Sequence, residues 1–309
     1  MPSPALVCLG EPMIEFNHTD PRKPHWLQGF GGDTSNAAIA AARQGASVGY
    51  VTALGQDLFG DRFVDLWQRE NVDCARVVRR DDAHTAVYFV THDAQGHQFH
   101  YLRSDSAASR LGPADLPRDY LAGARILHLS GISQAISPAA REAGFAAIDI
   151  VKEAGCRVSY DTNLRLKLWP IEQARDVIHA AIARADIALP SFDDATQLTG
   201  LSEPDAIVDF YLRLGPPIVA LKLGKDGALV ATPRERQRIA AYRVEAVDAT
   251  GAGDTFAGAF LAQLLDGSDP VTAARWANAA AALKTTGFGA IAPMPTRAAV
   301  EAFIAKAPV

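Results

Sequence analysis

The chain of 309 residues has three cysteines, Cys8, Cys74 and Cys156. They lie far apart, form no C-x-x-C and have no histidine cluster beside them. That excludes a disulfide framework and a cysteine-ligated metal, and it fits small buried residues in a reducing compartment. The eight histidines show no H-E-x-x-H spacing, so no zinc site is expected. Apolar runs of the ~18–20 residues that a membrane helix needs are absent. So is a basic stretch leading into an apolar core near Met1. A cytoplasmic location away from membranes is therefore expected. The net charge of −5 leaves no basic footprint, so nucleic acid is not expected as a partner. There is no G-x-x-x-x-G-K-[ST], because Gly224-Lys225-Asp226 lacks the hydroxyl residue, and no G-x-S-x-G elbow. Gly287-Phe288-Gly289-Ala290-Ile291-Ala292 matches a loose dinucleotide pattern, but it follows a helix rather than a strand.

What is present is a well-provided apolar core. Hydrophobic residues make up 49% and charged residues 21%, ordinary values for a soluble enzyme. Residues 5–10 read as a strand that leads into Gly10-Glu11-Pro12. Residues 13–30, with Pro21 and Pro24, look like an excursion from the main sheet. An alanine-rich helix at 36–44 starts from Asp33-Thr34-Ser35 and stops at Gly45, and a helix is expected from Leu58 to Glu70. Thr85–Thr91 and Gln98–Leu102 read as a hairpin whose turn holds Asp93 and Gly96. From residue 124 strands and helices alternate, closing with helices at 253–266, 270–285 and 297–306. Such alternation predicts parallel strands covered by helices on both faces, with ligands at the strands' carboxyl ends. One core domain spanning 1–309, with a β lid from about 12–30 and 84–104, fits better than two domains.

The most informative segment is Val247-Asp248-Ala249-Thr250-Gly251-Ala252-Gly253-Asp254-Thr255-Phe256. A glycine-bearing turn ends in an acid, and Phe256, Phe260, Leu261, Leu264 and Leu265 follow at helical spacing. Amides at such a helix start, with the dipole behind them, form an anion site. A carboxylate beside an anion site suits phosphoryl transfer, since it can take the proton of an attacking hydroxyl. The segment alone fits equally a plain helix start with an N-terminal acid.

Four other segments divide in the same way. Gly29-Phe30-Gly31-Gly32-Asp33-Thr34-Ser35-Asn36 is either a ligand-approaching loop or a tight turn with a cap. Asp161-Thr162-Asn163-Leu164-Arg165 lies at a strand's carboxyl end, where Arg165 either forks onto an anion or forms a surface ion pair. Tyr88, Tyr101 and Arg103 on the hairpin either cover a sugar and meet an acid or merely pack. Lys222-Leu223-Gly224-Lys225-Asp226-Gly227 is either a nucleotide floor or an ordinary turn.

Together these segments resemble the ribokinase-like, or PfkB, family of carbohydrate kinases over nearly the whole chain. Gly31-Gly32 with Asn36, continuing through Val51-Thr52-Ala53-Leu54-Gly55-Gln56-Asp57, is similar to its N-terminal signature, and 248–254 to its C-terminal one. Phe30-Gly31-Gly32-Asp33-Thr34, His128-Leu129-Ser130-Gly131-Ile132-Ser133 with Ser137-Pro138, and Asp161-Thr162-Asn163-Leu164-Arg165 with Leu168-Trp169 resemble the branch acting on 2-keto-3-deoxygluconate. The pair Tyr101 and Arg103 is similar to that branch as well.

The resemblance implies a three-layer α/β/α fold with a mostly parallel sheet and a small β lid. It implies ATP-dependent phosphorylation of a sugar acid on its C6 hydroxyl. Asp254 would be the base, and the amides of Gly251, Ala252 and Gly253 the anion hole. Gly32, Asn36, Tyr88, Tyr101, Arg103 and Arg165 would bind substrate. Asn163, Ser191, Lys222, Gly224, Gly227 and Asn278 would line the ATP site. Mg²⁺ would bridge the phosphates, with Asp194 near it, and the family's potassium would fall at Asp248 and Thr250. Pairing of lids into a homo-oligomer is also implied. Three positions depart from the pattern. Ala249 follows Asp248 where Thr is usual, Ser191-Phe192-Asp193-Asp194 replaces N-x-x-E, and Leu164 stands where the branch often has Tyr. A neutral-ketose kinase such as a fructokinase, and a non-catalytic sugar-binding regulator, are the competing expectations.

Overall fold

Alternate residues of the strand Leu6–Leu9 enter different cores: Leu6 and Cys8 pack in one buried cluster, Val7 and Leu9 in another. This strand is near the middle of a nine-stranded sheet, and burial on both faces explains its unbroken apolar sequence. The computed structural model describes residues 3–19, 22–93 and 96–306. Across the large sheet the strand order is Arg236–Ile239, Ala228–Ala231, Ile218–Lys222, Ile187–Ala188, Arg157–Asp161, Ile126–Ser130, Leu6–Leu9, Val48–Val51 and Val72–Asp73. Helices on both faces complete three layers.

All neighbouring pairs are parallel from Ile218–Lys222 through to Val72–Asp73. The expected alternation fails only at the other end, where Ala228–Ala231 and Arg236–Ile239 run antiparallel. The connection Leu223–Gly227 is too short for a crossover, and Gly224 and Gly227 turn the chain with φ of +59° and +92°. Arg236–Ile239 carries no apolar run and was not expected as a strand. Arg236 and Arg238 are exposed along this outer edge, where charge discourages pairing with another sheet.

Three helices position the site: α1 (Asp33–Arg43), α2 (Ala252–Leu265) and α3 (Pro270–Thr285). Every residue of α2 from Thr255 onward is buried, because it packs against both α1 and α3. Its phenylalanines stack on each other, with ring centroids of Phe256 and Phe260 5.9 Å apart. Full burial of each such side chain contributes about 1.5–3 kcal/mol.

The excursion and the hairpin form one separate four-stranded sheet, ordered Leu27–Gly31, Met13–Asn17, Ala86–Asp93 and Gly96–Leu102. Its strands lie within or next to residues 12–30 and 84–104. Pro21, and the two residues between Asp93 and Gly96, lie outside the described residues. Among the described residues no helix is long and apolar enough to cross a membrane.

Candidate active site

The N-termini of α1 and α2 meet at the carboxyl end of the large sheet, beneath the lid. Gly258 permits the close approach, since a Cβ there would lie 2.3 Å from the Ala37 carbonyl oxygen. One turn into α1, Asn36 donates from Nδ2 to Asp254 Oδ2 at 2.8 Å. A cavity of about 630 Å³ opens over this pair. Gly32, Asn36, Gly251, Gly253 and Asp254 line it on the helix side, Tyr88 and Tyr101 on the lid side.

Gly251 takes φ +75°, which turns the chain into α2. First-turn amides of a helix have no acceptor within it, so the Gly253 amide can face the cavity as a donor. Lys222 stands at the same mouth: a Cβ on Gly253 would be 3.6 Å from Lys222 Nζ. The lysine donates to Asp161 Oδ2 at 2.5 Å, and both side chains are largely buried. Burial, and then the negative charge of Asp33, push the Asp254 carboxyl up to about 7. A group poised there can both hold and release a proton at neutral pH.

Sequence reasoning treated Asp33 as a helix-start residue and Asp161 as a motif position, and gave neither a role. Both line the cavity. Asp33 Oδ2 accepts from Asn163 Nδ2 at 2.7 Å, while its Oδ1 is buried without a partner among the described residues. Asn163 adopts φ +27°, the left-handed side that asparagine tolerates better than most residues. Its amide donates to Asp161 Oδ1 at 3.2 Å. The signal that could have marked Asp33 was its place directly after Gly32, whose φ of +111° brings the chain down into α1.

Arg165, Ser191, Asp194, Gly224 and Thr250 also line the cavity. Arg165 is exposed and, among the described residues, hydrogen-bonds only the Leu164 carbonyl, at 2.7 Å. Ser191 caps the helix Phe192–Thr199 by accepting from the Asp194 amide at 3.3 Å. Asp194 Oδ2 accepts from Thr162 Oγ1 at 3.2 Å and from the Leu164 amide at 3.1 Å, so it braces the loop bearing Arg165. Among the described residues no cluster of three or more His, Cys, Asp or Glu is placed to hold a metal. A divalent ion held there by so few carboxylates would have to keep much of its water.

Six expectations need correction. The Ala252 amide is spent on the Ala249 carbonyl at 3.1 Å and Ala252 does not line the cavity, so the anion hole is narrower than the sequence implied. Arg103 forms an ion pair with the fully buried Glu11 beneath the lid, and it is not among the lining residues. Tyr88 contributes its ring, but its hydroxyl is given to Glu15. Gly227 belongs to the turn, accepting from the Leu223 amide at 2.8 Å, away from the cavity. Asn278 donates to the carbonyls of Ile239 and Ala240, both at 3.3 Å, and thereby ties α3 to the edge strand instead of lining the cavity. Asp248 stands behind the cavity wall rather than in it.

A carboxylate in a helix mouth, beneath a small β sheet on a three-layer α/β/α core, is an arrangement of the ribokinase-like fold. Residues 3–297 match the model of pfkB family carbohydrate kinases. The chain belongs to that family. It is 34% identical over 307 residues to a 2-dehydro-3-deoxygluconokinase of Bacillus subtilis, covering 96% of this chain and 94% of that protein. It is 35% identical over 317 residues to fructokinase-1 of Zea mays, covering 98% of each. Among solved structures it resembles a fructokinase double mutant of Vibrio cholerae with fructose, ADP and a potassium ion bound. The TM-score is 0.87 at 29% identity, covering 98% of this chain and 99% of that one.

Proposed function

We propose that the protein transfers the γ-phosphoryl group of ATP to the C6 hydroxyl of 2-keto-3-deoxy-D-gluconate, giving the 6-phosphate and ADP. The observation that carries this reading is the state of the two cations lining the cavity. Lys222 is paired with Asp161, whereas Arg165 has no carboxylate partner among the described residues and stands open to the cavity. An unpaired guanidinium has a use when the substrate brings a carboxylate. Asp254 takes the hydroxyl proton, and the amide of Gly253 and the Lys222 ammonium stabilise charge on the moving phosphoryl; a Mg²⁺ bound with ATP would supply neutralising charge to the phosphates. Asn163, Ser191 and Gly224 lie on the nucleotide side, and Gly32, Asn36, Tyr88 and Tyr101 on the sugar side. The exposed Leu27, Phe99 and Leu102 on the lid support pairing of lids between two copies.

A neutral ketose is the second reading, and the Glu11–Arg103 pair favours it, because it removes one of the two arginines expected for a carboxylate. A coupled kinase assay over keto-deoxy acids and neutral ketoses, with Arg165→Ala beside the wild type, separates the two. Loss of a charge-assisted contact raises KM for the acid by roughly 10- to 100-fold and leaves a ketose unaffected. Unchanged KM on the preferred acid, or preference for a neutral ketose, overturns the sugar-acid reading.

A further inference from the structure

The family resemblance implies a potassium ion at Asp248 and Thr250, and the donor set there does not fit one. Asp248 Oδ1 accepts from the Thr250 amide, Oδ2 from the Gly289 amide, and the carbonyl oxygen from Lys284 Nζ, each at 2.8 Å. All three oxygens therefore face N–H groups, and a positive charge is already in place. We propose that the Lys284 ammonium is the resident monovalent cation of this active site, holding the Asp248 turn beneath the anion hole where relatives use a potassium ion.

Lys284 is fully buried, which is costly for an ammonium without compensation. It stands in the last turn of α3, where the helix dipole favours a cation. The next residue grips the same turn: the Thr285 carbonyl accepts from the Val247 amide at 2.7 Å and the Asp248 amide at 3.0 Å. The end of α3 thus clamps Asp248 at two points, through the Lys284 side chain and the Thr285 backbone. Three residues beyond Asp248 the chain reaches Gly251 and turns into α2, so the clamp fixes where the anion-hole amides point. The Lys284 ammonium also feels the charges of Asp248 and Asp254, which oppose the lowering of its pKa by burial. An ammonium and a potassium ion share charge and similar size, so one can take the other's electrostatic place. A lysine tethered by its own helix does so at any salt concentration.

The proposal rests on the chain acting as a carbohydrate kinase, but one of its readouts does not depend on which sugar is turned over. Thermal melting of the wild type with ADP and Mg²⁺ is compared in potassium, sodium and tetramethylammonium chloride at constant ionic strength, together with initial rates on the preferred sugar. The expected result is no selective effect of potassium on either. Removing a comparable anion-hole element costs on the order of 100-fold in turnover, and Lys284→Met is expected to show that loss without potassium. Lys284→Ala, with room for the ion, is expected to regain rate and melting temperature in potassium but not in tetramethylammonium. A lysine that only packs predicts no such gain. Selective activation or stabilisation of the wild type by potassium overturns the proposal, as does a Lys284→Met protein with the wild-type rate. Should neither variant fold, the wild-type comparison alone decides.

Discussion

Asn36 and Asp254 are 218 positions apart in sequence and share a hydrogen bond of 2.8 Å, from the Asn36 amide to Asp254 Oδ2. Asn36 is also tied to the lid: its backbone amide donates at 2.8 Å to the carbonyl of Gly32, which directly follows the lid strand Leu27–Gly31. The lid therefore reaches the base through one turn of α1. A shift of that strand would move the group that holds the carboxylate in place, and this links the lid to the position of Asp254.

Replacing the base tests its role most directly. Asp254→Asn keeps the size of the side chain and removes the proton acceptor. Turnover is expected to fall by roughly 10²- to 10⁴-fold, the usual range for loss of a general base. Titration calorimetry is expected to show ADP binding nearly as in the wild type, because the residues proposed to hold the nucleotide are Asn163, Ser191 and Gly224. Turnover close to wild type would mean that another group takes the proton.

The pH dependence follows from the same carboxyl. Asp254 is pushed from its ordinary 3.8 up to about 7 by burial and by Asp33, so kcat/KM should rise with pH and level off above about 7. Asp33→Asn removes the nearest negative charge and should move the midpoint down. Stability runs the other way. A carboxyl whose pKa is raised by folding favours the folded state fully below 3.8, and that contribution is lost as the pH climbs through about 7. Asp254→Asn is neutral throughout, so it should melt higher than the wild type at about pH 8, with the gap closing toward about pH 5. A pH–rate profile flat between these values would remove Asp254 from the proton transfer.

The sequence carried the elements well wherever burial has a period. The boundaries of α3 and of the strands Ile218–Lys222 and Ala228–Ala231 fall where apolar spacing places them. The charged strand Arg236–Ile239 has no such pattern, and only its hydrogen bonds to Ala228–Ala231 reveal it. At the site, residues on helix and strand ends were legible because glycines and an acid mark a turn locally. What could not be read was which charges neutralise each other. Arg103 looked free until the fold put Glu11 beneath it, 92 positions away by number, and nothing in the sequence marked Lys284, which the fold buries in the last turn of α3. Pairing of this kind depends on tertiary proximity, which local spacing does not encode.

The Glu11–Arg103 pair gives a stability prediction. Glu11 is fully buried, accepts from Ser106 Oγ at 2.6 Å and meets Arg103 where the chain leaves the lid. Burial raises the Glu11 pKa, and Arg103 opposes that. Arg103→Met leaves a buried carboxyl without its cation, a change that typically costs about 3–5 kcal/mol. The double variant Glu11→Gln/Arg103→Met removes the stranded charge and should recover a large part of the loss in denaturant unfolding. If Arg103 instead served the substrate, Arg103→Met would raise KM and leave the unfolding midpoint unchanged.

Gly258 tests whether close packing of α1 on α2 sets the geometry of the base. A Cβ at this position would meet the Ala37 carbonyl oxygen at 2.3 Å, the Ala40 Cβ at 2.7 Å and the Ala41 amide at 2.8 Å. Two of these are backbone atoms, so the helices must separate rather than a side chain turn aside. Gly258→Ala is expected to destabilise by about 1–3 kcal/mol, as overpacking usually does. It should also lengthen the Asn36–Asp254 bond, since the two residues stand on the helices being pushed apart. Turnover should then fall even though every cavity residue is unchanged, with a smaller effect on ADP binding. Asn36→Ala removes the same hydrogen bond without moving a helix, so it separates the two effects. A Gly258→Ala enzyme that is less stable but turns over normally would show that the base tolerates the displacement, and that Asn36 does not position it.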